Sequence, residues 1–257
     1  MFRFAFLFLL VFAGSFFADF AAKHLQQSDP AKILEKARLA RLPEQSRRVG
    51  SISVHRGSRS STVDFELWTK DDSLCMLTVR APENQKGRSY LRRSGRVWSC
   101  IPGEQDARRV KEADYALSWL STGFSLRELM NIPERWEEYR LSLLGVASVK
   151  GLNCYQVELV PVQVLNQRWT RQVRYISQRG FLTLKIETFM GSSLASVQEV
   201  QKLSYFGDSE QPSVIEKSSF MGGIYKSKLV YKHIQFHQSF LRDRVFTTAH
   251  LVRLANE

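Results

Sequence analysis

From residue 51 onward, apolar and polar side chains alternate one by one over stretch after stretch. In STVDFELWTK, Val63, Phe65 and Leu67 alternate with Thr62, Asp64 and Glu66. Tyr155, Val157 and Leu159 alternate with Cys154, Gln156 and Glu158, and Leu182, Leu184 and Ile186 alternate with Thr183, Lys185 and Glu187. A period of two places one set on each face of a β-strand. Connectors such as RGSRS, KDDS, PENQKG and RSG are too short for a parallel crossover, so neighbouring strands must run antiparallel. Turn spacing predicts about eleven or twelve strands. Open twisted sheets rarely exceed ~10 strands without curling or splitting. The expected fold is therefore mainly β (α+β), one curled antiparallel sheet forming a half-open or closed barrel.

Two segments break the alternation. In SDPAKILEKARLARLPE, Asp29 is a capping residue and Pro30 suits the first helical position. Ile33, Leu34, Ala37 and Ala40 then recur at helical spacing, predicting a helix of three to four turns that Pro43 ends. Residues 103–137 carry Tyr115, Leu117, Trp119, Leu120, Phe124, Leu126, Leu129 and Met130, expected as one or two short helices around a turn at Gly123. Ser125 with Glu128 has the capping-box spacing. Such an apolar excursion must bury itself against the sheet. VFTTAHLV at the end reads as a last strand.

The first residues concern location. Arg3 is followed by an apolar run from Phe4 to Ala13 and small residues at Ala13, Gly14 and Ser15. This is the layout of a secretory signal peptide. The run is short of the about 20 residues of a spanning helix, though Phe16, Phe17 and Phe20 extend it. Residues 1–22 are thus expected to be a signal peptide or an N-terminal membrane anchor, and residues 23–257 a single exported domain in the periplasm.

The formal net charge of +12 in 257 residues favours anionic partners. Basic residues interleave with aromatics in GRSYLRRSGRVW and RWTRQVRY, which by itself suits a single-strand nucleic-acid binder; the export signal argues against it. No nucleophile elbow, HExxH, P-loop or dinucleotide fingerprint occurs, so no enzyme is expected. His233 and His237 on a strand would lie about 13 Å apart at ~3.3 Å per residue, too far to share a metal. Asp71-Asp72 fits a turn and Glu137-Glu138 a strand start, neither an acid–base pair. Cys75, Cys100 and Cys154 match no zinc spacing and read as small buried strand residues with one optional disulfide. No metal or cofactor is expected.

Several motifs in order resemble the outer-membrane lipoprotein-sorting family related to LolA. DDSLCMLTVRAPENQKGRSYLRRSGRVWSCIPGEQDARRV has a strand ending at Pro82, Gly87 before the strand of Tyr90 and Leu91, and a Trp98 strand ending at Pro102. SWLSTGFSLRELMN is similar to the family's plug loop, with Trp119, Gly123, Phe124, Glu128 and Leu129 in the matching roles. YRLSLLGVASVKGLNCYQVELVP resembles a family hairpin, and RVFTTAHL its closing strand. The likeness spans roughly residues 30–254; Cys100 stands where the family often has Tyr. It implies an unclosed β-barrel whose mouth is covered by helices. It also implies a periplasmic carrier of acyl chains, on lipoproteins or as phospholipid, with an exporter of the resistance-nodulation-division (RND) type as a partner. Val63, Phe65, Leu67, Leu77, Trp98, Val157, Leu159, Leu184 and Ile186 are then the expected cavity lining, and Trp119, Phe124 and Leu129 the plug. The competing expectation is a filled barrel, a non-transporting accessory subunit of an envelope export complex. Arg88, Arg92, Arg96 and Trp98 share one parity. Either the turn at Gly95 shifts register, or Trp98 faces outward beside a basic stripe.

Overall fold

A computed structural model describes residues 29–41, 45–163, 169–221, 225–236 and 243–257. The segment expected as signal or anchor, residues 1–22, lies outside the described residues, as does His237. The alternating text forms strands β1 (Gln45–Arg56), β2 (Arg59–Lys70), β3 (Leu74–Ala81), β4 (Ser89–Arg93), β5 (Arg96–Cys100), β6 (Arg108–Arg109), β7 (Tyr139–Val149), β8 (Leu152–Pro161), β9 (Arg171–Ser177), β10 (Thr183–Met190), β11 (Ser193–Phe206), β12 (Ser209–Ser219) and β13 (Tyr225–Phe236). The described residues thus contain 13 strands in one sheet, ordered β6-β5-β4-β3-β2-β1-β13-β12-β11-β10-β9-β8-β7.

Two meanders, β1–β6 and β7–β13, join where β1 pairs antiparallel with β13. The edges β6 and β7 do not pair with each other, so the curled sheet is an unclosed barrel. Paired rows on one face draw the apolar parity of each strand together. Phe65, Val79 and Leu67, Leu77 meet across β2 and β3, and Phe65, Leu67 and Leu77 are essentially inaccessible.

Helix α1 (Pro30–Ala40) follows the expected bounds. The Asp29 carboxylate accepts from the Ala31 amide at 2.9 Å, satisfying one of the orphan amides of the first turn. Ile33, Leu34 and Ala37 pack on Val157, Leu159 and Ile176 of β8 and β9. Burying Ile33 and Leu34 contributes roughly 2 kcal/mol each. The last carbonyls of α1 are also met by side chains: Asn131 Nδ2 donates to Arg38 O at 3.1 Å, Gln211 Nε2 to Ala40 O at 3.3 Å, and Arg48 to Arg41 O. The end of the helix is therefore tied to three separate parts of the fold.

The C-terminal text is not a strand. Thr247 accepts from the His250 amide at 3.2 Å and caps helix α3 (Thr248–Asn256). Leu251, Leu254 and Ala255 recur at helical spacing and are buried with Met76, Leu91, Cys100 and Phe246. The two threonines that suit a strand instead start a helix, because the strands β3–β5 present a second apolar face that only a helical stripe can cover. This also places Trp98. It pairs with Leu91 across the β4–β5 hairpin and packs in the cluster under α3, not with the plug residues. The turn at Gly95 adds no bulge, so Trp98 faces outward. The accompanying basic stripe does not hold together: Arg92 lies on the other parity from Leu91, is 1% exposed, and donates to Asp72 O at 2.6 Å.

The three cysteines are free and buried. His233 is exposed on β13, and Glu137-Glu138 sits in a 3₁₀ turn just before β7.

Candidate functional site

The plug segment has the short helical structure its sequence predicts. Beyond single 3₁₀ turns it contains one short helix, α2 (Leu126–Leu129). The expected capping box is complete: Ser125 Oγ accepts from the Glu128 amide, and Glu128 accepts from the Ser125 amide at 2.8 Å. Before it, residues 118–125 form a tight loop. The Trp119 amide donates to Phe124 O at 2.7 Å, and Thr122 Oγ1 donates to Trp119 O at 2.7 Å. Gly123 has φ +80, and a Cβ there would stand 2.9 Å from the Tyr225 ring. Only glycine allows the loop to press so close.

Trp119, Phe124 and Leu129 all lie in the main core. Trp119 meets Phe65 and Tyr90 edge-on, both with centroids 6.2 Å apart. Val63, Phe65, Leu67 and Leu77 lie in the same core cluster as this plug. Val157 and Leu159 are covered by α1. Leu184 is buried in the main core.

The open space lies elsewhere. A cleft of about 1060 Å³ runs between α1, the plug segment and the inner face of β9–β12. Of the residues expected to line a cavity, Ile186 lines this cleft, and Val63, Phe65, Leu67, Leu77, Trp98, Val157, Leu159 and Leu184 do not. Leu34, Leu182, Ile186 and Ile215 supply apolar wall, while Arg174, Gln198 and Lys217 supply polar floor.

The floor has a definite order. Register places Arg174 opposite Ile186, Ile186 opposite Gln198, and Gln198 opposite Lys217. The row thus crosses β9, β10, β11 and β12, with a cation at each end and about 14 Å between them at ~4.8 Å per strand. The plug supplies an acid to each cation. Glu134 takes both contacts from Arg174 Nη2, at 2.9 and 2.8 Å, and Glu128 pairs with Lys217 Nζ at 2.8 Å. Arg174 also lies 5.8 Å from the Trp136 ring centre, and Lys217 lies 5.6 Å from that of Phe124. Burial pushes the Glu128 carboxyl upward, but Lys217 and Ser125 outweigh it and hold the group below its ordinary value of 4.5.

Sequence reasoning missed Arg174 and Lys217. A signal was present: each shares strand parity with an apolar neighbour two residues away, Ile176 and Ile215. A cation on an apolar parity needs a partner when the face is covered. The alternation showed the parity but not which segment would supply the acids.

Among the described residues, no group of three or more His, Cys, Asp or Glu side chains is placed to hold a metal, and no helix is long and apolar enough to cross a membrane.

Among curated proteins, none matches this sequence. Several solved structures share the fold, among them these three. A DUF1329 family protein from Desulfovibrio piger has a TM-score of 0.74 at 18% identity, covering 87% of this chain and 100% of its own. A putative outer membrane lipoprotein-sorting protein domain from Vibrio parahaemolyticus has 0.73 at 16%, covering 86% and 97%. A LolA superfamily protein from Nitrosomonas europaea has 0.67 at 17%, covering 87% and 99%. A family model described as "Uncharacterized protein" matches residues 71–253. The chain belongs to that family, and its fold is LolA-like.

Proposed function

We propose that the chain is an exported carrier that holds acyl chains, of a lipid or a lipoprotein, in the cleft between α1, the plug and β9–β12. The observation that carries this reading is the cleft itself. Its about 1060 Å³ is open on a sheet whose opposite half buries Phe65, Leu67 and Leu77 in the main core. Leu34, Leu182, Ile186 and Ile215 would take an acyl chain out of water at about 0.8 kcal/mol per methylene. Two solved structures of the same fold are named for lipoprotein sorting or for LolA. Export rests on the N-terminal sequence, and its periplasmic destination on the same likeness. The mechanism is physical, with no covalent step.

The test is mass spectrometry of lipids that co-purify with the protein, in wild type and Ile186→Arg. Bound lipid in the wild type and its loss in the variant is the expected outcome. Absence of lipid from both, with acyl probes also failing to bind, would sink the carrier reading.

A second reading has its own observation. Val63, Phe65, Leu67 and Leu77 are filled in by the plug rather than left open. A solid half-barrel of this kind suits an accessory subunit of an envelope export complex, with an RND-type exporter as the partner. Co-purification with such an exporter, from cells in which the cleft variant remains functional, would favour it.

A further inference from the structure

The floor of the cleft carries charge where a store for bare hydrocarbon needs none. Arg174 and Lys217 sit at the two ends of one cross-strand row, with Ile186 and Gln198 between them. Their side chains are only 14% and 18% exposed. In this closed arrangement each is matched by a carboxylate of the plug, Glu134 for Arg174 and Glu128 for Lys217. Between them, Gln198 Oε1 is buried and has no hydrogen-bond partner among the described residues, and neither has Ser227 Oγ, opposite Lys217 in the next strand. The row thus offers two cations and the unpartnered Gln198 Oε1 on the floor of one cleft, with Ser227 Oγ buried next to Lys217 under Gly123.

The acids belong to the side of the cleft that has little regular structure. Glu128 lies in the four-residue helix α2, and Glu134 lies in the irregular segment after it. The cations belong to the sheet, which hydrogen-bonded strands hold on both sides. If the plug shifts to admit a ligand, both cations lose their partners while still half-enclosed by protein. Leaving a charge in that state is costly, so an entering ligand is favoured when it brings its own negative charge.

We infer that the cleft takes acidic amphiphiles, in which a phosphate or carboxylate headgroup replaces the Glu128 and Glu134 carboxylates on Lys217 and Arg174 while the acyl chain lies along Ile186 and Ile215. The plug acids then act as built-in competitors of the headgroup. Gln198 supplies a contact for a hydroxyl beside it. This rests on the carrier reading of the same cleft and adds the class of its cargo.

The experiment is calorimetric titration of the full domain with three twelve-carbon probes below their micelle concentrations: dodecyl phosphate, dodecanoate and uncharged dodecyl maltoside. The wild type is expected to prefer the two anions. Lys217→Met and Arg174→Met should each lower the ratio of anion to maltoside affinity about tenfold, the loss of one charge-assisted contact. Glu128→Gln and Glu134→Gln should strengthen anion binding. Lys217→Arg keeps the charge and should retain the preference, which separates a lost contact from a misfolded variant. Phosphate above dodecanoate would assign a phospholipid-type headgroup, and parity between them a simple fatty acid. Equal binding of all three probes, unmoved by the lysine and arginine variants, would overturn the acidic class and leave the carrier reading standing. No binding of any probe to the wild type would overturn both.

Discussion

Strands β2–β5 and strands β9–β12 belong to one sheet, yet different things cover them. On β3–β5 both faces are largely covered, and on β2 the inner face is. The inner face packs on Trp119, Phe124 and Leu129 of the plug, and the outer face of β3–β5 packs under α3. On β9–β12 the inner face borders the cleft, and its row of Arg174, Ile186, Gln198 and Lys217 is only partly buried. The first region spends its apolar residues on stability. The second keeps mixed chemistry at an opening. Their difference shows that an alternating strand does not declare what its inner face touches. A plug, a helix or solvent can all satisfy the same pattern.

The comparison breaks most sharply at Phe65. Phe65→Ala removes edge contacts to Trp119 and Tyr231, both at 6.2 Å, and should cost about 3–5 kcal/mol in urea unfolding. If it costs no more than a cleft substitution, the two halves are not differently packed. Trp98→Ala probes the outer face of the closed half. It should cost about 2 kcal/mol, since the ring is partly exposed, and leave bound acyl probes in place. Loss of probe with full stability would put Trp98 on the cleft after all.

Acidification tests the contact between the halves. The folded Glu128 carboxyl is held below its ordinary value of 4.5. A group depressed on folding adds stability above its unfolded pKa and loses it as pH falls through the folded one. The wild type should therefore lose thermal stability below pH 4.5 more steeply than Glu128→Gln. The difference should reach about 1–2 kcal/mol, discounted because both side chains keep some solvent contact. Parallel melting curves across that range would remove the Glu128–Lys217 pair from the account. The smallest expected change in stability is at the open region. Ile186→Ser should cost below about 1 kcal/mol, because the side chain already meets the cleft, while reducing acyl retention. A large loss of stability there would mean that the cleft wall is part of the core.

Much of this was legible in advance. Asp29, Pro30 and the Ile33, Leu34, Ala37 stripe mark α1, and Ser125 with Glu128 marks the start of α2, because caps and stripes are local in sequence. The end at Thr247 differs, since Phe-Thr-Thr suits a strand until β3–β5 present an apolar outer face for a helix to cover. Alternation does not say which inward residues border open space, for a related reason. Val63, Phe65, Leu67 and Leu77 do point inward, but the plug reaches them first. Val157 and Leu159 also point inward, beneath α1.

The sequence by itself determined the antiparallel sheet, its strand parities, the two capped helices of the first half and the buried plug, all of which follow from spacing over a few residues. Only the tertiary structure decided that β1 closes on β13, that α3 covers Trp98, and that plug carboxylates answer Arg174 and Lys217 across the cleft. These depend on contacts between segments tens of residues apart, and period and propensity do not say which distant surfaces will meet.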